Sequence, residues 1–102
     1  MADAAPLKAI ELLQQLGFSS YEAKAYVGIL ENQPVGAYEL AKRSGVPSSK
    51  VYETINKLLR RGTIQFGESD ADNPVYVALP PEDLADQLTH QISQRTSALL
   101  PL

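Results

Sequence analysis

The stretch AKRSGVPSSKVYETINKLLRRG, residues 41–62, holds two helix-like runs split by Gly45-Val46-Pro47, and six of the chain's nine Lys and Arg residues. In the second run Val51, Ile55, Leu58 and Leu59 recur at helical spacing, which leaves one apolar side and one polar side. Ser48 is placed to cap that helix and Gly62 to end it. Gly45 permits the positive φ of a tight turn between crossed helices. Val46 is predicted to plug the core at the corner.

On the N-terminal side, Pro6 suits the first turn of a helix whose apolar face is Leu7, Ile10, Leu13 and Leu16, with Ala9 and Leu12 beside them. Gly17 stops it. Ser19 and Glu22 have capping-box spacing, and Ala23, Tyr26, Val27 and Leu30 form the next stripe. Gly28 inside that helix implies close approach of a neighbour. Asn32-Gln33-Pro34 breaks the chain, and Val35-Gly36 reads as a short extended piece. Ala37 to Ser44 then gives a short third helix with Leu40 and Ala41 inward. After Gly62 the period changes from helical to alternating. Thr63-Ile64-Gln65-Phe66 and Val75-Tyr76-Val77-Ala78 read as two strands around the acidic loop GESDADNP. Pro80-Pro81 opens a last helix with Leu84, Ala85, Leu88, Ile92 and Leu99 along one side.

Composition narrows the class. A chain of 102 residues with 44% apolar content is one small globular unit. No run approaches the about 20 apolar residues of a membrane span. The absence of cysteine excludes disulfides and thiolate metal sites and fits a reducing cytosol. Net charge is −3, but it is segregated. Residues 1–35 carry two cations against four carboxylates, residues 36–64 six against two, and residues 65–102 one against six. A local basic patch governs binding more than the total does.

A short helix, a turn containing Gly, a longer helix and a two-stranded hairpin together make a winged helix-turn-helix. The expected fold is therefore mostly α (α+β), with a β-hairpin wing and an extra C-terminal helix. In such an arrangement the first helix braces the second, whose free polar face can enter a major groove about 12 Å wide. LGFSSYEAKAYVGIL, ELAKRSGVPSSKVYETINKLLRRG and YVALPPEDL, taken as a set, resemble the N-terminal domain of TrmB-type transcriptional regulators. The resemblance runs from about Leu16 to Leu84. It implies a dimeric winged-helix DNA binder, and a sugar effector where a further C-terminal domain is present. The wing departs from that pattern. It carries Glu68, Asp70 and Asp72 and no cation, so phosphates repel it and it is read as lying outside the interface.

The expected contact residues follow from the polar side of the fourth helix. Ser48, Ser49 and Lys50 sit at a helix N-terminus, which attracts phosphate, and are expected to contact phosphates or bases, Ser49 on the base side. Tyr52 and Asn56 reach toward base edges, and Lys57 and Arg60 toward phosphates. Lys42 and Arg43 close the bracing helix as a phosphate clamp, or simply as cations suited to the helix dipole. The plainer account of the whole face is a solvated surface with Glu53 and Lys57 as an i,i+4 pair. Tyr26 and Tyr76 fall at core positions; Tyr38 and Tyr52 are the tyrosines free for contacts. Arg61 reads as a helix-end cation.

The remaining features point away from chemistry. His90 is the sole histidine and lacks partners at ligand spacing, so no metal is expected. No catalytic constellation and no cofactor motif is present, so the chain is read as no enzyme. Residues 1–80 are expected to form the double-stranded-DNA reader. Residues 81–102 are expected to form a helix whose apolar stripe can fold back on its own domain or pair with a second copy; the preferred reading is homodimerisation through Leu84, Leu88, Ile92 and Leu99. The rival reading is a winged-helix protein-interaction module without DNA binding, favoured by the acidic wing.

Overall fold

The computed structural model describes residues 4–69 and 72–102. Its elements are α1 (Ala4–Gln15), α2 (Ser20–Asn32), α3 (Ala37–Ser44), α4 (Ser48–Arg61), β1 (Ile64–Phe66), β2 (Tyr76–Ala78) and α5 (Pro81–Ser97). The order and type of every expected element is present, and the architecture is a winged helix-turn-helix.

Helix α2 is the spine. It packs against α1, α3, α4 and β2, and Ala23, Ala25 and Ile29 on it are wholly buried. Its start is fixed by the predicted capping box. The Ser19 N–H donates to Glu22 Oε1 at 2.8 Å and the Glu22 N–H to Ser19 Oγ at 3.1 Å. Two orphan amides of the first turn are thereby satisfied. Gly28 marks the crossing of α2 with α3. A Cβ there would lie 2.9 Å from both Leu40 Cδ1 and Ser44 Cβ, so only glycine lets the helices approach this far.

Leu40, Val46, Ile55 and Leu58 complete the core between α2, α3 and α4. Gly45 takes φ +85°, the left-handed turn conformation, and Val46 is 1% exposed, as a core plug must be. One local expectation fails. Ser48 does not cap α4. The N-cap residue is Pro47, without a side-chain cap bond, and Ser48 is the first helical residue. Proline's fixed φ already suits a helix start, so no hydroxyl is needed there to set the turn.

Strands β1 and β2 pair antiparallel, with Ile64 opposite Ala78 and Phe66 opposite Tyr76. The Val35-Gly36 piece is extended as expected. Val35 bridges Tyr76 on the far side of β2, through N–H···O contacts of 2.8 and 3.2 Å. Gln33 Oε1 accepts the Ala78 N–H at 2.7 Å, so the wing's inner strand is bonded directly to the α2–α3 connection. Asp70, predicted in the wing loop, lies outside the described residues; Glu68 and Asp72 are exposed.

The two terminal helices depart from their expected faces. Among the described residues of α1 only Leu13 is buried, while Leu7 and Leu12, and Leu16 just past the helix end, are 66%, 49% and 48% exposed. In α5 Leu84 and Leu88 pack into the domain's own core. From Thr89 to Leu102 every residue but Gln91 is exposed, including Ile92 and Leu99. Leu99 lies beyond the end of α5 at Ser97. Periodicity alone counted these residues as one stripe, but the helix outruns the body that would cover it. An apolar groove of about 630 Å³ runs between α1, α2 and α5, lined by Leu12, Leu13, Leu16, Leu30 and Ala85 among others. No helix is long and apolar enough to cross a membrane among the described residues.

Candidate nucleic-acid interface

Helix α4 separates its two sides sharply. Val51, Thr54, Ile55 and Leu58 are buried. Ser48, Ser49, Lys50, Tyr52, Glu53, Asn56, Lys57 and Arg60 are all exposed. Thr54, the one polar residue on the buried side, returns its hydroxyl to the Lys50 carbonyl at 2.8 Å. A polar side chain is thus absorbed without a gap in the apolar stripe. The exposed side lies away from α2 and α3, which pack against the other one.

Lys42 and Arg43 stand exposed in the last turn of α3, next to the turn that leads into α4. They join the seven predicted residues of α4 on one continuous stretch of helix-turn-helix. Their electrostatics are not those of bare cations. Arg43 Nε is 2.6 Å from Glu39 Oε2. That hydrogen bond from Arg43 holds the Glu39 carboxyl below its ordinary range. Lys42 Nζ lies 5.4 Å from the Tyr38 ring centre. On α4, Glu53 sits between Lys50 at 3.9 Å and Lys57 at 3.6 Å. The expected Glu53–Lys57 pair is therefore present, with a second lysine added. Arg60 carries no ion pair among the described residues.

Tyr38 and Tyr52 are the exposed pair that sequence reasoning singled out, at 77% and 63%. They line a cleft of about 290 Å³ with Gly36, Glu39, Asn73 and Pro74, where the wing loop meets the start of α3. Tyr26 and Tyr76 are core residues, as expected. Burial pushes both phenols up, and Tyr76 is also raised by Tyr52.

Arg61 has a role that its position in the sequence hid. Its guanidinium lies 3.8 Å from the Phe18 ring centre, and Nη1 donates to Glu22 Oε1 at 3.1 Å. The end of the exposed helix is thereby tied to the start of α2. The partners are 39 residues apart, so no local spacing could have announced them. The described part of the wing loop carries the exposed carboxylates of Glu68 and Asp72.

The family model described as sugar-specific transcriptional regulator TrmB matches residues 13–82, from the buried leucine of α1 into the first turn of α5. The chain belongs to the TrmB family. The uncharacterized protein YrhO of Bacillus subtilis (strain 168) is 40% identical over 75 residues, covering 74% of this chain and 26% of that protein. The HTH-type sugar sensing transcriptional regulator TrmBL1 of Pyrococcus furiosus is 27% identical over 95 residues, covering 91% of this chain and 28% of that one. This TrmB-family chain therefore spans about a quarter of the length of the curated relatives it matches.

Among solved structures, TrmBL2, an archaeal chromatin protein whose structure shows a novel mode of DNA binding, superposes with a TM-score of 0.85 at 24% identity. The overlap covers 94% of this chain and 36% of that chain. Staphylococcus aureus MarR, in complex with salicylate and kanamycin, superposes with a TM-score of 0.56 at 17% identity, covering 93% of this chain and 66% of that chain. Both likenesses establish the winged-helix fold.

Proposed function

We propose that this TrmB-family domain binds duplex DNA and regulates transcription, with α4 seated in the major groove. The observation that carries the reading is the cationic, exposed side of α4 set opposite a buried stripe and braced by α3. A helix anchored on one side by close packing keeps its other side rigid for recognition. Ser49, Tyr52 and Asn56 face the bases. Ser48 and Lys50 hold backbone phosphates at the helix N-terminus, Lys57 and Arg60 hold them along its length, and Lys42 and Arg43 clamp one beside the groove. Family membership and the sugar-sensing regulator TrmBL1 support the regulatory class. No catalytic step belongs to it.

Residues 1–80 form the reader and 81–102 the dimerisation element. Leu84 and Leu88 anchor α5 to its own domain, which leaves Ile92 and Leu99 as its free apolar side chains. The neighbouring apolar groove adds surface for a second copy. A homodimer would set two α4 helices about 34 Å apart, one DNA turn. The site of action is the cytoplasm, where a bacterial or archaeal regulator meets its DNA. A sugar effector belongs to this reading only where a further C-terminal domain is joined to the reader.

The test is fluorescence anisotropy of a mixed-sequence duplex across a salt series. Two protomers that each neutralise three or four phosphates give a log K against log salt slope of roughly −5 to −7, at about −0.9 per phosphate. The double variant K50E/R60E is expected to lose binding while its circular dichroism and melting temperature stay put, since both residues are exposed. Full binding by that variant removes α4 from the interface. The acidic wing favours a second reading, a protein-docking platform. Absence of duplex binding by the native chain at low salt would select it.

A further inference from the structure

We propose that Glu53 sets base specificity on α4 by accepting a hydrogen bond from the exocyclic amine of cytosine, while its pairing with Lys50 and Lys57 holds down binding to other sequences. This rests on the reading of α4 as the helix that enters the groove.

Position comes first. At about 100° per residue, Ser49, Glu53, Asn56 and Arg60 fall on the line directly opposite the buried Val51, Ile55 and Leu58. Lys50 and Lys57 lie to one side of that line and Tyr52 to the other. Any approach that seats the exposed side of α4 in a groove therefore brings Glu53 toward the groove floor. It is the one carboxylate in the helix, and its side chain is 57% exposed.

The chemistry of the floor then selects. An ionised carboxylate only accepts hydrogen bonds. In the major groove guanine offers N7 and O6, and thymine O4, all acceptors that oppose it. Donors come from the amines of cytosine and adenine alone. The adenine amine sits beside the acceptor N7, whereas the cytosine amine has no acceptor next to it on that edge. Cytosine is therefore the base that Glu53 fits.

The flanking lysines make the choice conditional. In the free protein Glu53 is shared by Lys50 at 3.9 Å and Lys57 at 3.6 Å. On DNA the two ammonium groups turn to phosphates, and the carboxylate must find a donor or stand unpaired in a field of negative charge. Over cytosine it finds one. Over other bases it keeps its lysines, and their phosphate contacts are forgone. Discrimination thus arises as much from a penalty on wrong sequences as from a gain on the right one.

The experiment is selection from a random duplex pool with the 102-residue native chain, E53A and E53Q, followed by anisotropy on the selected site and on a scrambled duplex. Native sites are expected to hold cytosine at one fixed position. E53A is expected to lose roughly 10–100-fold of discrimination there and to bind the scrambled duplex more tightly. E53Q is expected to shift the preference to adenine, whose N6 and N7 suit an amide. If E53A selects the native site with unchanged preference, Glu53 is a surface ion-pair residue and the proposal falls, with the DNA-reading function intact. A native chain that selects nothing overturns both.

Discussion

Tyr26 joins two regions through one atom. Its ring is in the core, and its hydroxyl donates to the Leu79 carbonyl at 2.6 Å, across 53 residues. Tyr26→Phe keeps the packing and strands that carbonyl, so a loss of about 1–2 kcal/mol is expected in chemical denaturation. The same hydroxyl makes stability depend on alkali. Burial raises the folded phenol above its ordinary value of 10.0, so the fold binds the proton more tightly than the unfolded chain does. The stabilisation is complete below pH 10 and is lost as pH rises through the folded value. The melting temperature of the native chain should fall beyond pH 10, and less steeply in Tyr26→Phe. An equal fall in both would assign the loss to other groups, the raised Tyr76 among them. Residues differ in how far they could be read in advance. Glu22 was legible as a cap because its partner Ser19 is three residues away, and Arg61 was opaque because its partners Glu22 and Phe18 lie on another helix.

At the two contacts of α3, its crossing with α2 and its turn into α4, glycine has two distinct reasons to be present, and they separate under mutation. Gly28→Ala should destabilise the fold. The added methyl meets Leu40 and Ser44 at 2.9 Å, and overpacking of about 1–3 kcal/mol exceeds the 0.5–1 kcal/mol or so that alanine gains in a helix. Gly45→Ala meets only Lys24 Cδ at 4.0 Å, so its cost of about 1–2 kcal/mol is purely that of a left-handed backbone. Leu40→Ala in each background, followed by urea titration, tells them apart. The smaller side chain should relieve Gly28→Ala in part, because the Ser44 contact stays, and leave Gly45→Ala unrelieved. Both glycines were legible from sequence as a close approach and a tight turn. The face of α1 was not. Helical period identifies which leucines share a side, but burial depends on what lies opposite, and for Leu7, Leu12 and Leu16 the domain provides too little.

The assembled domain measures 50 × 34 × 26 Å, and its long dimension reflects a helix that leaves the body. At about 1.5 Å per residue the 17 residues of α5 span about 25 Å, of which the part through Leu88 is anchored. Replacing Ile92 and Leu99 by Glu should leave the fold intact, since both are exposed, and should lower the mass seen in sedimentation equilibrium to that of one 11.1 kDa chain. A native chain that already sediments at that mass removes the dimer from the proposed function. The organisation of helix-turn-helix, wing and final helix was visible from patterning and turn residues, because each is a local signal. The ion pairs that temper the basic surface were both within reach of the sequence, since Lys57 and Lys50 stand four and three residues from Glu53, both neighbouring positions on a helix; only the first was expected.

The bridge between Val35 and Tyr76 has a consequence for solubility. A two-stranded sheet ordinarily presents two open edges, each a template on which another chain can add a strand. Here β2 is occupied on both sides at Tyr76, by Phe66 across the hairpin and by Val35 behind it. The open edge among the described residues is that of β1. It is three residues long, about 10 Å, and runs at once into Gly67 and the charge of Glu68. That is shorter than the five to seven residues or so that a stacking segment needs. The exposed Phe66 therefore sits on an edge too brief to propagate, and the hairpin is guarded against aggregation by a contact made on its opposite side.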